Sequence, residues 1–330
     1  MSSKKRILSG MRPTGPLHLG NFHGALANWV AMQTAYDCFF FIADWHALTS
    51  DYEKPAAIPG YVQEMMIDWL SAGLDPEKST LFVQSRVPEH AELFLLLSMI
   101  TPVPWLERNP TYKDQIVQME NRDLSTFGFL GYPVLQAADI IMYKASGVPV
   151  GVDQVPHLEI TREIARRFNF LYGEVFPEPE AILTQTSKIL GLDRRKMSKS
   201  YNNAIYLSDT PQQIRQKVSQ MITDPQRMRK SDPGNPDICN VFEFHKLYSD
   251  ADTGQDIDAQ CRKAEIGCVQ CKEIMARHLI AAMAPMQERR AQYEAEPQRV
   301  REIVVHGSEC ARKVARDTME QVRSAIRIRA

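Results

Sequence analysis

The chain has 330 residues, of which 44% are hydrophobic and 24% are charged, a composition typical of a globular protein. Its formal net charge of −1 excludes an overall basic field, so any nucleic acid must bind through local patches. The longest uncharged apolar runs, 38–43 and 93–100, are too short to span a bilayer. The basic residues 4–6 precede only two apolar residues, so we do not expect a signal peptide. We therefore expect a soluble, cytoplasmic protein with no membrane segment.

The first part of the chain alternates short apolar runs with amphipathic stretches, a pattern typical of a parallel sheet covered by helices. Strands are predicted over 6–9, 38–43, 80–84 and 148–152. Apolar residues at helical spacing follow the first and the fourth of these strands, and 132–143 is predicted to be a mostly buried helix. We interpret 1–207 as a Rossmann-like catalytic domain of the α/β class, in which ligands bind at the carboxyl ends of the strands.

No strand is predicted beyond about residue 208. Thr210 and Gln213 form a capping-box pattern around Pro211, residues 232–236 indicate a loop, and Pro285 and Pro297 are predicted to break the helices. The sequence thus predicts an all-helical C-terminal domain over 208–330. It contains a basic stretch at 215–230, with five basic residues and one acid, which suits a phosphate-rich partner as well as a solvated helix face.

A loop rich in glycine and proline, 9–21, lies between the first strand and the first helix. Gly20 allows a ligand to approach a helix N-terminus, where unpaired N–H groups and a partial positive charge favour phosphate. His18 and Asn21, three residues apart, lie on the same side of that turn and can donate hydrogen bonds to phosphate oxygens. The alternative is a tight turn that carries a surface histidine.

A second candidate loop, 194–200, is strongly basic. Lys196 and Lys199 are three residues apart and are flanked by small hydroxyl residues, which favours a mobile cationic loop that closes over a polyphosphate. The alternative is an ordinary charged surface loop.

Together, these strings resemble the signatures of class I aminoacyl-tRNA synthetases. Residues 13–21 resemble their "HIGH" signature, and 196–200 is identical to "KMSKS". Residues 131–140, 148–154 and 157–162 look like the tryptophanyl-tRNA synthetase family, and the resemblance covers nearly the whole chain. It implies ATP-dependent ligation of L-tryptophan to its tRNA through a tryptophanyl adenylate, with release of pyrophosphate and AMP. It also implies a helical anticodon-binding domain and a homodimer.

The resemblance assigns roles to matched positions. Because the tryptophan carboxylate is already ionised, catalysis needs no general base and must come from positioning and charge stabilisation, with Mg²⁺ and the catalytic residues Lys196, Lys199, His18 and Asn21. The positions expected to border ATP are Arg12, Pro13, Thr14, Gly20, Asn21, Gly151, Val152, Asp153, Ile189, Lys196, Met197, Ser198, Lys199 and Ser200. The positions expected to border tryptophan are Gly10, His46, Tyr132, Gln136, Asp139 and Gln154. Two positions depart from the family pattern: Arg12 replaces a common glutamine, and Val152 replaces a common acid.

The spacing of Tyr132, Gln136 and Asp139 places them on one face of a helix. Asp139 lies among apolar residues, where a charge is costly unless it has a partner. The indole N–H only donates, so a fixed carboxylate is a suitable reader, and such a site rejects amino acids that lack the donor by roughly 10⁴-fold. From the residues alone, a structural aspartate bonded to backbone is the alternative, and His46 taken alone is a core histidine.

Four of the six cysteines, Cys239, Cys261, Cys268 and Cys271, have the spacing C-x21-C-x6-C-x2-C. Four thiolates can hold Zn²⁺ or an iron–sulfur cube, and isolated buried cysteines are the alternative. The resemblance favours a structural [4Fe–4S] cluster over Zn²⁺, because a subset of bacterial members carries one at a similar site near the anticodon.

Three other functions stay open from the sequence. The first is tyrosyl specificity on the same fold, the second is a small-molecule nucleotidyltransferase with a histidine–glycine nucleotide site, and the third is a catalytically silent tRNA-binding paralogue.

Overall fold

A five-stranded parallel sheet forms the centre of the first half of the chain in the computed structural model, which describes residues 4–109, 125–151, 155–183 and 189–328. Its strands are β1 (Arg6–Met11), β2 (Asp37–Ile42), β3 (Ser79–Val83), β4 (Gly147–Val150) and β5 (Glu180–Leu183). The spatial order is β3-β2-β1-β4-β5, and all four pairs are parallel. The order of the strands therefore reverses between β1 and β4, which is where an open α/β sheet forms its ligand crevice.

Helices surround this sheet, and helices and loops make up the rest of the described chain. The first, α1 (Leu19–Asn21), continues through a π-helical turn (Phe22–Leu26) into α2 (Ala27–Met32). The next six are α3 (Asp44–Asp51), α4 (Ile58–Ala72), α5 (Glu89–Ser98), α6 (Val103–Glu107), α7 (Phe127–Met142) and α8 (Val155–Tyr172). The C-terminal part contains α9 (Pro211–Ser219), α10 (Asn240–Tyr248), α11 (Ala251–Arg262), α12 (Cys268–Ala295) and α13 (Pro297–Ala325).

Most of the predicted elements are confirmed. The four predicted strands correspond to β1–β4, and the capping box at Thr210 opens α9 with Pro211 in its first turn. Two details differ: β5 was not predicted, and Pro285 lies inside α12 instead of ending a helix. The helix continues because Met283 and Met286, on either side of the proline, are buried and hold this segment by packing.

The two faces of the sheet carry separate hydrophobic clusters, because alternate residues of a strand point to opposite faces. Ile7 and Phe40 belong to one cluster, and their neighbours Leu8 and Phe41 belong to the other. The long C-terminal helices reach both: α12 adds residues to the first cluster, and α13 adds residues to each of the two. The division of the chain after residue 207 stays a prediction. None of the helices in the described ranges has the length and apolar character needed to cross a membrane.

Candidate functional site

The loop that follows β1 is joined to the segment that follows the lysine loop. His18 forms an antiparallel bridge with Tyr206. On either side of it, the Leu19 N–H donates to the Ile205 carbonyl at 3.0 Å, and the Leu207 N–H donates to the Leu17 carbonyl at 2.9 Å. These backbone bonds bring the two motifs together at the carboxyl end of β1, beside the reversal of strand order.

His18 caps the helix that it precedes. Its Nδ1 accepts the Asn21 N–H at 3.3 Å, and the Asn21 Oδ1 accepts the His18 N–H at 3.1 Å. Burial, followed by the charges of Lys199 and Lys196, lowers the pKa of His18 to about 4, so the ring is neutral at pH 7. Because Nδ1 is the acceptor, the hydrogen of the neutral ring lies on Nε2, which can donate to a phosphate oxygen.

Two glycines allow the loops to approach each other. Gly15 has φ of 125°, and a Cβ atom there would lie 3.4 Å from the Lys199 Nζ. A Cβ on Gly20 would lie 2.9 Å from the His18 Nδ1 and 3.4 Å from the Met197 Cβ. Burial lowers the pKa of the Lys199 ammonium to about 8, and the Asp68 carboxylate opposes this effect. Lys199 is therefore mostly charged at pH 7 and faces the glycine-rich loop, whereas the Lys196 side chain is exposed.

Asn203 fixes the shape of the lysine loop and is 2% exposed. Its Oδ1 accepts the Ser198 N–H at 2.8 Å, while its Nδ2 donates to the Asp193 Oδ1 at 2.7 Å and to the Lys196 carbonyl at 3.3 Å. Gly191 makes room for this side chain, since a Cβ there would lie 2.2 Å from the Asn203 amide.

Asp139 lies at the centre of a buried polar network and is 0% exposed. The His46 Nε2 is 2.7 Å from its Oδ2, the His90 Nδ1 is 2.5 Å from its Oδ1, and the Gln84 Nε2 donates to both oxygens at 2.8 and 3.0 Å. Burial opposes ionisation of this carboxyl, but its interactions with His90 and His46 outweigh burial and lower its pKa. The carboxylate is therefore held in one orientation by three side chains, not by nearby backbone as in the alternative left open above.

Tyr132 and Gln136 precede Asp139 on α7, and both are partly exposed where Asp139 is buried. The Tyr132 hydroxyl lies 3.3 Å from the His157 Nε2. Gly10, at the end of β1, has a packing reason to lack a side chain, because a Cβ there would lie 2.5 Å from the Phe41 ring. The face that the spacing predicts is thus present, with its buried end at Asp139.

The other predicted nucleotide-binding residues differ in their exposure to solvent. Pro13, Ile189 and Met197 are buried, and the Met197 N–H donates to the Ile189 carbonyl at 3.1 Å. Exposed or partly exposed positions are Arg12, Thr14, Gly151, Ser198 and Ser200, and Gly151 directly follows β4. Val152, Asp153 and Gln154 lie outside the described residues.

Sequence reasoning missed several polar residues of this region. They are Asp68, Gln84, His90, Tyr143 and Asn203. A signal existed for Gln84 alone, because it was predicted to end the third strand, and ligands lie at the carboxyl ends of strands.

The four cysteines of the predicted metal site lie near one another, and two of them lie beside Arg227. The Arg227 Nη1 is 3.8 Å from the Cys261 Sγ and 3.9 Å from the Cys268 Sγ. Burial, and then the other three cysteines, raise the pKa of the Cys271 thiol to about 12. However, no three His, Cys, Asp or Glu side chains in the described ranges are placed to hold a metal ion. The structure therefore does not support the metal site as predicted, although the four thiols lie close enough to influence one another's pKa.

Comparison with known proteins places this geometry in a family. Residues 2–284 match the family described as tRNA synthetases class I (W and Y). The chain is 51% identical to the tryptophan–tRNA ligase of Thermotoga maritima, over 98% of this chain and 99% of that one. It is 46% identical to that of Ralstonia nicotianae, over 98% of each chain. A crystal structure of tryptophanyl-tRNA synthetase from Campylobacter jejuni, complexed with ADP and tryptophan, superimposes with a TM-score of 0.90 at 34% identity, over 97% of this chain and 99% of that one. The chain therefore belongs to the class I tRNA synthetases of the tryptophan and tyrosine group.

Proposed function

We propose that this chain is a tryptophan–tRNA ligase that forms a tryptophanyl adenylate from ATP and transfers the tryptophanyl group to its tRNA. The observation that carries the proposal is the meeting of the two motif loops at the carboxyl end of β1, where Lys199 faces Gly15. The near-complete coverage of relatives named tryptophan–tRNA ligase supports the choice of amino acid.

The activation step uses charge and position. The tryptophan carboxylate attacks the α-phosphate of ATP, the bond from this phosphate to the β-phosphate breaks, and pyrophosphate leaves. Lys199 and Lys196 stabilise the negative charge on the leaving pyrophosphate, and the Nε2–H of His18 donates to a phosphate oxygen. Mg²⁺ is expected to arrive on the phosphates of ATP, in keeping with the lack of a metal-holding group in the described part of the chain. The remaining ATP-binding residues named above stay predictions.

The amino acid is recognised at the end of α7. Asp139 accepts the indole N–H, and Tyr132 and Gln136 line the exposed part of the same helix face. The network of donors around Asp139 supports this role, because a carboxylate that cannot rotate discriminates better between an N–H donor and an apolar ring edge. Gly10, His46 and Gln154 stay predicted neighbours of the amino acid.

The second step transfers tryptophan from the adenylate to the terminal ribose of tRNA and releases AMP. The helical part, 208–330, is proposed to bind the anticodon. Its support is a basic surface beside the cysteines, which contains Arg227, Arg229, Lys230 and Arg277. The homodimer and the cytoplasmic location stay predictions.

The deciding experiment is amino-acid-dependent exchange of labelled pyrophosphate into ATP, with tryptophan, tyrosine and phenylalanine compared. Exchange with tryptophan alone is the expected result. Exchange with tyrosine would retain the fold and overturn the amino-acid assignment. Absence of exchange with all three, in protein that still binds tRNA, would favour a silent paralogue.

Lys199→Ala is expected to slow exchange greatly with little change in tryptophan affinity, and near-normal turnover would remove the lysine loop from the mechanism.

A structural [4Fe–4S] cluster at the four cysteines is a separate proposal, with Zn²⁺ as the alternative. Its support is the gathering of Cys239, Cys261, Cys268 and Cys271 in one place, together with a buried Arg227 Nε that has no hydrogen-bond partner. When bound, the cluster would order this part of the helical domain. Anaerobically purified protein is expected to contain iron and acid-labile sulfide, both lost in Cys261→Ser. Zinc in their place would support the alternative, and no metal would reject both.

A further inference from the structure

Asp139, His90 and Tyr143 form a continuous chain of hydrogen bonds. The His90 Nδ1 lies 2.5 Å from the Asp139 Oδ1, and the His90 Nε2 lies 2.7 Å from the Tyr143 hydroxyl. All three side chains are 0% exposed. None of the steps described above uses His90 or Tyr143. Polar groups this deeply buried are costly unless they are hydrogen-bonded, and these bonds meet that need.

The hydrogen positions of this chain follow from the donor and acceptor types. An ionised carboxylate only accepts, so the His90 Nδ1 must carry the hydrogen that faces Asp139. The His90 Nε2 faces the Tyr143 hydroxyl, which can both donate and accept a hydrogen bond. Burial raises the pKa of Tyr143 well above its usual value, so this hydroxyl keeps its proton. Tyr143 therefore holds the far side of the His90 ring while Nδ1 donates to Asp139.

The position of His90 is itself fixed from several sides. It lies in the first turn of α5, beside the stacked rings of Phe41 and Phe82, whose centroids are 6.2 and 6.3 Å from its own. The preceding residue, Glu89, accepts from Arg312 on α13 at 2.9 Å. The start of α5 is thus held both by the sheet and by the last helix.

The two carboxylate oxygens of Asp139 differ in their access to a ligand. Oδ1 accepts from His90 and Gln84, which are both completely buried. Oδ2 accepts from Gln84 at 3.0 Å and from His46, whose side chain is 9% exposed and lies nearer the surface. Oδ1 is therefore bonded only to completely buried side chains, and Oδ2, beside His46, is the oxygen that a donor from a substrate would approach.

We propose that His90, oriented by Tyr143, is a positioning residue that fixes the Asp139 carboxylate so that Oδ2 meets the indole N–H of the amino acid. This inference rests on the proposed role of Asp139. Without the bond at Oδ1, the carboxylate can turn, and a loosely held acceptor no longer separates an amino acid that carries the ring N–H from one that lacks it.

The test compares L-tryptophan with the analogue in which sulfur replaces the indole N–H, 3-benzothienyl-L-alanine. The quantity measured is kcat/KM for L-tryptophan divided by kcat/KM for the analogue, both in pyrophosphate exchange. A general loss of structure lowers both values and leaves the ratio unchanged, whereas loss of the oriented acceptor lowers the ratio. We expect Tyr143→Phe and His90→Leu each to lower the ratio by about tenfold, as expected for one hydrogen bond to a charged group.

Two further variants serve as controls. His90→Asn places an amide N–H near the position of the imidazole Nδ1 and is expected to restore most of the ratio. Tyr248→Phe removes another hydrogen-bonded tyrosine hydroxyl, which is partly buried and lies 2.6 Å from the His23 Nε2, and is expected to leave the ratio unchanged. If His90→Leu fails to fold, Tyr143→Phe still decides, because it removes a single oxygen atom.

Asp139→Asn separates this inference from the function on which it rests. If Asp139→Asn lowers the ratio while Tyr143→Phe and His90→Leu do not, the positioning role of His90 is wrong and the role of Asp139 stands. If Asp139→Asn leaves the ratio unchanged, the proposed recognition of the indole N–H by Asp139 is wrong, and the positioning role of His90 is overturned with it.

Discussion

Asp68 on α4 and Arg290 on α12 form a buried ion pair between the sheet half and the helical half of the chain. The same aspartate accepts the backbone N–H of Leu17, the residue directly before His18, at 3.4 Å. The side chains of Asp68 and Arg290 are 3% and 8% exposed. Burial raises the pKa of Asp68 to about 6, so this carboxyl is mostly charged at pH 7 and depends on its partner. The helical half thus stabilises the loop that carries the first motif.

Arg290→Met is expected to lower the free energy of unfolding by about 3–5 kcal/mol, because it leaves the Asp68 charge buried without compensation. The double variant Arg290→Met/Asp68→Asn is expected to recover part of this loss, since no buried charge is then left unpaired. The other two partners of Arg290, Glu64 and Glu294, are 45% and 50% exposed and are solvated without it. Urea unfolding of the two single variants and the double variant measures the coupling. If the loss in the double variant equals the sum of the losses in the two single variants, Asp68 and Arg290 do not stabilise each other.

The main chain of α13 packs directly against β3. A Cβ on Gly307 would lie only 1.9 Å from the Leu81 carbonyl oxygen, a backbone atom that cannot move aside without disturbing the sheet. We expect Gly307→Ala to lower the free energy of unfolding by about 1–3 kcal/mol, as overpacking does in well-packed cores.

Gly254→Ala provides the matched control. Gly254 also lies inside a helix, α11, but a Cβ there would meet no atom within 4 Å. This substitution is expected to raise stability by about 0.4–1 kcal/mol, because alanine restricts the unfolded chain. Equal effects of the two substitutions on thermal unfolding would show that the contact between α13 and β3 is not close.

The strands that could be predicted from sequence are those whose burial produces a continuous apolar run. In β2, five of six residues are buried, and its boundaries differ from the predicted ones by one residue. In β5, none of the four residues is buried, whereas the other edge strand, β3, is mostly buried because α13 packs against it. The sequence of β5 therefore contains no run that separates it from a loop.

In the candidate site, too, only residues with a local sequence pattern could be predicted. The two motif loops could be predicted because their residues are contiguous and their chemistry is local. The partners of Asp139 could not: His90 and Gln84 precede it by 49 and 55 residues, and the fold alone brings them together. The Asp68–Arg290 pair spans 222 residues and has no local pattern at all.

Asn203 makes a specific prediction for the lysine loop. Asn203→Ala removes the acceptor of the Ser198 N–H and the donor to the Lys196 carbonyl, so the loop loses its fixed shape. Because a displacement of about 1 Å can cost about 100-fold in rate, we expect kcat for pyrophosphate exchange to fall by between about 10-fold and 100-fold, with the KM for tryptophan little changed. A rise in this KM with normal kcat would contradict the assignment.

The pH dependence of ATP use tests the charge of Lys199. The pKa of this ammonium is about 8, so the charged form that binds phosphate is lost as the pH rises through this value. We expect kcat/KM for ATP, which reports the free enzyme, to fall above about pH 8. His18 contributes no change between about pH 6 and about pH 8, because its pKa is about 4 and it is already neutral there.

The variant Lys199→Arg distinguishes deprotonation of Lys199 from deprotonation of any other group that affects kcat/KM for ATP. A guanidinium stays charged throughout the range, so the fall above about pH 8 is expected to disappear, even though the absolute value at neutral pH decreases because the fork-shaped group fits the site differently. The measurement is the pH profile of kcat/KM for ATP in pyrophosphate exchange, for both proteins. The same alkaline fall in Lys199→Arg would assign it to another group and show that the Lys199 ammonium does not control nucleotide binding.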